Sequence, residues 1–404
     1  MRPTPYFSST SPCGNHPTHS APPKTALMAR SVRGLEWVVA AEVQGRLGAS
    51  ISSISHRTVH FYLSTLNRRL AALRTADDVF LTCGEIEGLD HTRSSLRLLP
   101  DKIQRLDLGA ALAALARFRP IQHPGRFAVA ASFLGRRNYN RFEVEEIVGR
   151  ILERRLGMSQ EPPPRRSAAD IAWRIHLYES KAYVGLRLMP KPLHRRSYRS
   201  GPYTGSLHPP VAASMALLAG LYQGLVCLDP FAGSGTIGIE TTYLEDSLLF
   251  LMSDIDRRAP SSAQEAGLQI PYLNGDAGQL PFAYRSVDRL VSNMPWGRHV
   301  ELRGALRLGP SSFWRETRRV IHGESRVVLL SPSPGLPTDQ LRSNGLRLVL
   351  GCPIRLRGRP AFVSILTPES HSHPTAIDEF GLLGKELQNQ WNQYAGGDRL
   401  IAAL

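Results

Sequence analysis

The 404-residue chain predicts an α/β protein: an open, mostly parallel sheet in the C-terminal half, preceded by small α+β units. Three observations carry this. From Val226 onward, apolar runs alternate with glycine-rich turns and helix-like segments, beginning with "VCLDPFAGSGTIGIE". The runs at 225–228, 248–253, 289–292 and 326–330 read as strands, and those at 346–350 and 361–366 as an antiparallel pair closing the sheet. Before residue 190, strands and helices come in shorter mixed groups, and 404 residues exceed one ordinary core.

Each element follows in order. Residues 1–27 are rich in Pro, Ser and Thr, contain no acid, lack an apolar core of signal-peptide length and read as a disordered tail. "RGLEWVVAAEVQGRLGA" from Arg33 has helical spacing, "TVHFYL" from Thr58 is strand-like, "NRRLAALRT" reads as a helix and "DDVFLTCGEI" as a strand. "RFAVAASFL" from Arg126 alternates like a strand, and "FEVEEIVGRILERRLG" from Phe142 has a helical period. "IAWRIHLYESKAYVGLRLM" from Ile171 is a hairpin turning at 179–181. A basic, aromatic linker, "PKPLHRRSYRSGPYTGSLHPPVAAS", leads into the C-terminal half. The uncharged run "VAASMALLAGLYQGLVCL" has the length of a membrane span, but Gln223 and Gly224 divide it into a buried helix and a buried strand. Beyond residue 368 the tail is polar, then helix-like.

Charge is unevenly placed. Residues 1–200 hold 31 Lys and Arg against 16 Asp and Glu, whereas residues 201–404 hold 18 of each. The whole net charge of +15 therefore lies in the first half, which points to a polyanionic partner for that half alone. Cys13, Cys83, Cys227 and Cys352 form no CxxC pair, so neither a disulfide framework nor a zinc ribbon is indicated. Cys13, His16 and His19 lie in the Pro-rich tail, and no metal site is expected.

The chemistry gathers at predicted strand ends. Asp229 closes an apolar run and is followed by Gly233 and Gly235, which let the backbone approach a ligand. No Lys follows these glycines, and the spacing is not GxGxxG, so phosphate recognition is not implied. Asp254, about twenty residues on, is placed to hold ribose hydroxyls. Asp276 sits on a turn suited to an exocyclic adenine amine. An adenosine-containing cofactor follows from this order. Glu240 reads as structural, on the helix after the turn, and His208 as shaping the linker or cofactor pocket.

The run D-P-F-x-G-S-G-T-x-x-x-E at 229–240 and the run N-x-P-W-G at 293–297 together resemble class I S-adenosylmethionine-dependent methyltransferases. More narrowly, they resemble the THUMP-domain enzymes that methylate the N2 amine of guanosine in RNA. "PLHRRSYR" and "LHPPVAASM" are similar to that family's connection between THUMP and catalytic domains, and "RGLEWVVAAEV" and "LRTADDVFL" to its N-terminal domain. The tRNA enzymes are the nearest match and the ribosomal-RNA enzymes the second. The likeness spans about 28–368, and Met294 stands where many members have a second Pro.

The resemblance implies a ferredoxin-like unit at 28–75, a THUMP domain at 76–190, a linker at 191–210, a Rossmann-like methyltransferase domain at 211–368 and an extension at 369–404. Asp229, Phe231, Gly233 and Gly235 would line the methionine end of S-adenosylmethionine, Asp254 its ribose, and Asp276 with Ala277 its adenine. Asn293 and the Met294 carbonyl before Pro295 would accept the two N–H groups of the target amine, and Trp296 would stack on an extruded base. Arg136, Arg137 and Arg141, with Arg195, Arg196, Tyr198 and Arg199 of the linker, read as RNA contacts. The expected protein is a cytoplasmic monomer that methylates tRNA, with rRNA or DNA amine methylation, or RNA binding by a degenerate catalytic domain, as alternatives.

Overall fold

The structure, a computed structural model, describes residues 24–162, 169–199, 206–256, 263, 265–295, 303–332, 336, 338–356, 358–370 and 401–402. Two eight-stranded sheets organise them.

The first sheet contains β1 (Thr25–Arg30), β2 (Ser50–Ser55), β3 (Thr58–Leu63), β4 (Asp78–Glu87), β5 (Arg126–Phe133), β6 (Ser159–Gln160), β7 (Ile171–Tyr178) and β8 (Lys181–Arg187), in the order β2-β3-β1-β4-β8-β7-β5-β6. The two small units anticipated share this sheet, joined where β4 pairs antiparallel with β8. Helix α1 (Glu36–Leu47) ends at Gly48, whose left-handed φ of 63° lets its N–H close on the Gln44 carbonyl. Helices α2 (Leu99–Gln104) and α3 (Leu108–Phe118) follow β4. Helix α4 (Arg141–Leu156) starts with a full capping box, Asn140 and Glu143 each satisfying the other's backbone.

Two expectations are corrected here. Strand β1 begins inside the stretch read as tail: Thr25, Ala26 and Leu27 pair with Leu63, Tyr62 and Phe61. The segment "NRRLAALRT" forms only a short 3-10 turn, Arg68–Ala72, because a single turn capped by Asn67 suffices to bury Leu70.

The sheet is strongly curled. His60 of β3 and Tyr183 of β8 have ring centroids 4.5 Å apart although two strands separate theirs in the sheet. On this concave face Arg30 Nη1 lies 3.1 Å from His176 Nε2. Burial, reinforced by Arg30 and Arg174, pushes the His176 imidazole down to about 2, so it stays neutral.

The second sheet contains β9 (Val226–Asp229), β10 (Leu249–Asp254), β11 (Tyr272–Asn274), β12 (Val287–Asn293), β13 (Ile321–Pro332), β14 (Leu346–Leu356), β15 (Arg359–Pro368) and β16 (Ile401–Ala402), in the order β11-β10-β9-β12-β13-β15-β14-β16. Strands β9 to β13 run parallel, and β15 and β14 close the sheet antiparallel, as the sequence predicts. Val327, Val328, Leu329 and Leu330 are all fully buried, the continuous apolar run expected of a strand covered on both faces. Helices α5 (Pro209–Leu218) and α6 (Thr236–Leu244) precede and follow β9, and α7 (Ser311–Val320) packs Phe313 and Trp314 into a second core beside Leu290 and Leu329. Helix α5 buries nine of its ten residues, which accounts for the uncharged run without a membrane. Among the described residues no helix is long and apolar enough to cross one.

Three seams join the units. Gly34, at φ +97°, lies so close to β14 that a Cβ there would sit 2.2 Å from the Pro353 carbonyl oxygen. His208 at the start of α5 reaches Asp77 Oδ1 at 2.7 Å. The third seam converges on Glu240. Its fully buried carboxylate accepts from Arg74 Nε at 2.7 Å, Arg196 Nε at 2.9 Å and the Tyr198 hydroxyl at 2.6 Å.

Candidate active site

Chain order reverses between β9 and β12: β10 and β11 lie to one side of β9, β12 and β13 to the other. In an open α/β sheet the crevice at such a switch point, beyond the strands' carboxyl ends, is where a ligand enters. The predicted residues occupy this edge. Asp229, Asp254 and Asn293 are the last residues of β9, β10 and β12.

Asp229 is buried, and its Oδ1 accepts from the Phe231 N–H at 3.1 Å and the Ser292 hydroxyl at 2.5 Å. Burial pushes its carboxyl up to about 7, and the charge of Asp254 adds to the effect. Ser292, one residue before Asn293, thus stitches the β9 tip to the β12 tip. The sequence reading passed over it, although a hydroxyl inside the apolar run "RLVSN" is itself a signal.

Asp254 holds the glycine turn. Its Oδ2 accepts from the Gly233 N–H at 2.8 Å and its Oδ1 from the Asp256 N–H at 2.9 Å. Gly233 and Gly235 both have positive φ, 50° and 80°, and a Cβ on Gly233 would meet nothing within 4 Å. The glycines there serve backbone conformation and leave open space above the turn. Phe231 is half-buried with its ring 5.2 Å from that of Phe313.

Asp276 Oδ1 accepts from the Gly278 N–H at 2.9 Å and Oδ2 from the Ala305 N–H at 2.8 Å. Gly304 (φ +57°) must be glycine, since its Cβ would stand 2.1 Å from that Oδ2. The 304–305 turn therefore lies over Asp276, a contact between residues 29 apart that no motif announces. Ala277 is buried in the second core.

At the β12 tip the Met294 N–H donates to the Leu330 carbonyl at 3.1 Å, fixing the backbone that enters Pro295. Asn293 Oδ1 is buried and, among the described residues, has no hydrogen-bond partner. A buried acceptor left open costs about 1–3 kcal/mol. Its persistence at a strand tip marks a place made for a donor that none of the described residues supplies. Trp296 lies outside the described residues.

The basic residues divide. Arg136, Arg141 and Arg195 are exposed, and Arg141 lies over the exposed ring of Phe142 at 4.7 Å. Arg137, Arg196, Tyr198 and Arg199 are instead engaged within the fold. Arg137 is spent on the carbonyls of Leu89, Asp90 and Glu179, at 3.0, 2.7 and 2.6 Å, and clamps three loops. Arg196 and Tyr198 are buried on Glu240, where an acid on α6 needs counter-charge more than the linker needs solvation. Arg199 is half-buried and donates to Ser206 Oγ at 2.6 Å. Among the described residues, no cluster of His, Cys, Asp and Glu is arranged to hold a metal.

Residues 196–350 match the family model described as UPF0020, RMKL-like, methyltransferase domain. A tRNA (guanine(6)-N2)-methyltransferase of Thermus thermophilus is 32% identical over 231 residues, 55% of this chain and 68% of that protein. The chain belongs to the guanine-N2 RNA methyltransferase family. A U6 snRNA (guanine-N(2))-methyltransferase, THUMPD2 of Mus musculus, is 28% identical over 47% of this chain and 35% of that protein. The crystal structure of TrmN from Thermus thermophilus superposes with a TM-score of 0.66 at 25% identity, covering 85% of this chain and 99% of that one. The protein is a methyltransferase, and its cofactor is S-adenosylmethionine. The residues present fit that cofactor: an open glycine turn, carboxylates at the ends of β9 and β10, and a third on the turn after β11 can receive an ammonium, ribose hydroxyls and an adenine amine.

Proposed function

We propose that the protein methylates the exocyclic N2 amine of a guanosine in tRNA, acting as a cytoplasmic monomer. The observation that carries the reading is the open Asn293 Oδ1 at the β12 tip, linked through Ser292 to Asp229 at the β9 tip. Bound at the β9–β10 edge, S-adenosylmethionine supplies a methyl group on a sulfonium. Asp229 and the Gly233–Gly235 turn hold its methionine end, Asp254 its ribose, and Asp276 with Ala277 its adenine. Asn293 Oδ1 and the Met294 carbonyl accept the two N–H groups of the guanine amine. That orients a lone pair otherwise delocalised into the ring, and Trp296 stacks on the extruded base. Positioning supplies the rate, and the proton leaves after transfer, when the amine is cationic.

Residues 28–75 act as a ferredoxin-like unit and 76–190 as a THUMP domain that grips the RNA. Exposed Arg136, Arg141 and Arg195 are the contacts supported by accessibility. Incubation with labelled S-adenosylmethionine and separate pools of tRNA, rRNA and DNA, followed by nucleoside mass spectrometry, tests the reading. N2-methylguanosine in the tRNA pool is expected. Label only in rRNA or DNA, or in N6-methyladenosine, overturns it.

The elevated Asp229 carboxyl sets a pH dependence. An ammonium ligand favours the carboxylate, so affinity for S-adenosylhomocysteine should fall by up to about tenfold per pH unit below about 7. Stability of the free protein runs the other way. A carboxyl raised on folding contributes stability at low pH that is lost as pH rises through about 7. Calorimetric titration between pH 5.5 and 8 measures the first effect, with about those limits chosen to bracket the transition. Asp229→Asn should flatten it, and a flat profile in the unsubstituted protein removes Asp229 from the cofactor site.

A further inference from the structure

The linker reaches both ends of α6. Arg196 and Tyr198 are locked on Glu240 at the middle of the helix, and Tyr198 stacks on Tyr243 near its C-terminus at 6.5 Å. A turn closed by the Arg199 N–H on the Arg196 carbonyl, 3.2 Å, then sends the Arg199 side chain toward the glycine turn. Its Nη2 donates to Ser206 Oγ at 2.6 Å. Ser206 Oγ lies 3.0 Å from Ser234 Oγ and 3.2 Å from Thr236 Oγ1, and those two hydroxyls are 3.1 Å apart. A guanidinium and three hydroxyls therefore meet beside Gly233 and Gly235. Among the described residues Arg199 has no carboxylate partner.

We propose that Arg199, supported by Ser206, Ser234 and Thr236, is the counter-ion for the α-carboxylate of the cofactor's methionine moiety and not an RNA contact. The charge balance of the crevice requires such a group. It presents Asp229 and Asp254 at strand ends and Asp276 on the turn after β11, which suit the ammonium, hydroxyls and amine of the cofactor but repel its carboxylate. A half-buried guanidinium beside hydroxyl donors makes charge-assisted hydrogen bonds to a carboxylate, and Arg199 is already placed by the Glu240 node three residues earlier. Each hydroxyl has one proton, and one of them can be turned from a neighbouring hydroxyl to an arriving anion, exchanging one mutual contact for a charge-assisted one. The inference rests on the reading of this turn as the methionine end.

Calorimetric titration of the unsubstituted protein, Arg199→Met and Arg199→Lys with two ligands tests it. S-adenosylhomocysteine carries the α-carboxylate; 5′-methylthioadenosine keeps the nucleoside and thioether but lacks it. Arg199→Met should weaken S-adenosylhomocysteine by at least about tenfold and methylthioadenosine by less than about twofold, with Arg199→Lys between. Equal losses for the two ligands, no loss for either, or weakened tRNA binding with unchanged S-adenosylhomocysteine affinity would each overturn the assignment. Failure of Asp229→Asn to weaken S-adenosylhomocysteine while Arg199→Met does so separates an error in the wider reading of the turn from one in Arg199.

Discussion

Asn293→Ala is expected to lower methyl transfer to RNA by at least about a hundredfold, the cost of a misplaced reacting group. Affinity for S-adenosylhomocysteine and for tRNA should stay within about twofold, because the role proposed for the residue is to orient the amine and not to add uniform binding. The thermal midpoint should hold or rise. Most buried amides lose stability when truncated, but Asn293 Oδ1 has no partner among the described residues to lose, and removing an unsatisfied acceptor relieves up to about 1–3 kcal/mol. Single-turnover rates, calorimetry and thermal unfolding together check this. A variant that transfers methyl groups normally ends the assignment, and one that melts well below the unsubstituted protein shows the amide to be structural.

The second large effect is on stability. Glu240→Ala should cost about 3–5 kcal/mol, read from the urea midpoint, because it leaves buried Arg196 and nearly buried Arg74 without their anion. Both side chains are committed elsewhere, Arg196 to the carbonyls of Leu193 and Arg74 and the Arg74 guanidinium over the Tyr243 ring at 4.2 Å, so neither can swing to solvent cheaply. Glu240→Gln keeps the shape and one acceptor and should lose less. A loss below about 1 kcal/mol in the Ala variant would reduce the node to the standing of a surface ion pair. The same node ties Arg74 of the segment before β4, the linker and the helix behind the glycine turn to one carboxylate.

Much of the fold was legible in the chain. Six strand runs of the C-terminal half lie where the apolar patterning puts them, because a parallel strand buried on both faces must be apolar throughout. Strand β11 was not legible: three residues, none of them buried, leave no pattern to read. Nor was the true start of β1, since three of its residues follow a Pro-rich stretch and acquire strand character only by pairing with β3.

By itself the sequence determined the order of chemistry: an acid ending an apolar run, a glycine turn, a second acid ending a run, a third on a turn, and an Asn before a Met-Pro step. Local propensity and spacing encode these, because each depends on neighbours a few residues away. Only the tertiary structure decided what the charged linker does. Arg195, Arg196, Tyr198 and Arg199 lie within five residues of one another, yet Arg195 faces solvent, Arg196 pairs with Glu240 and Tyr198 donates to it from more than forty residues away, and Arg199 turns to the hydroxyls beside the glycine turn. A charge takes its role from the partner that folding brings to it, and no spacing along the chain names that partner.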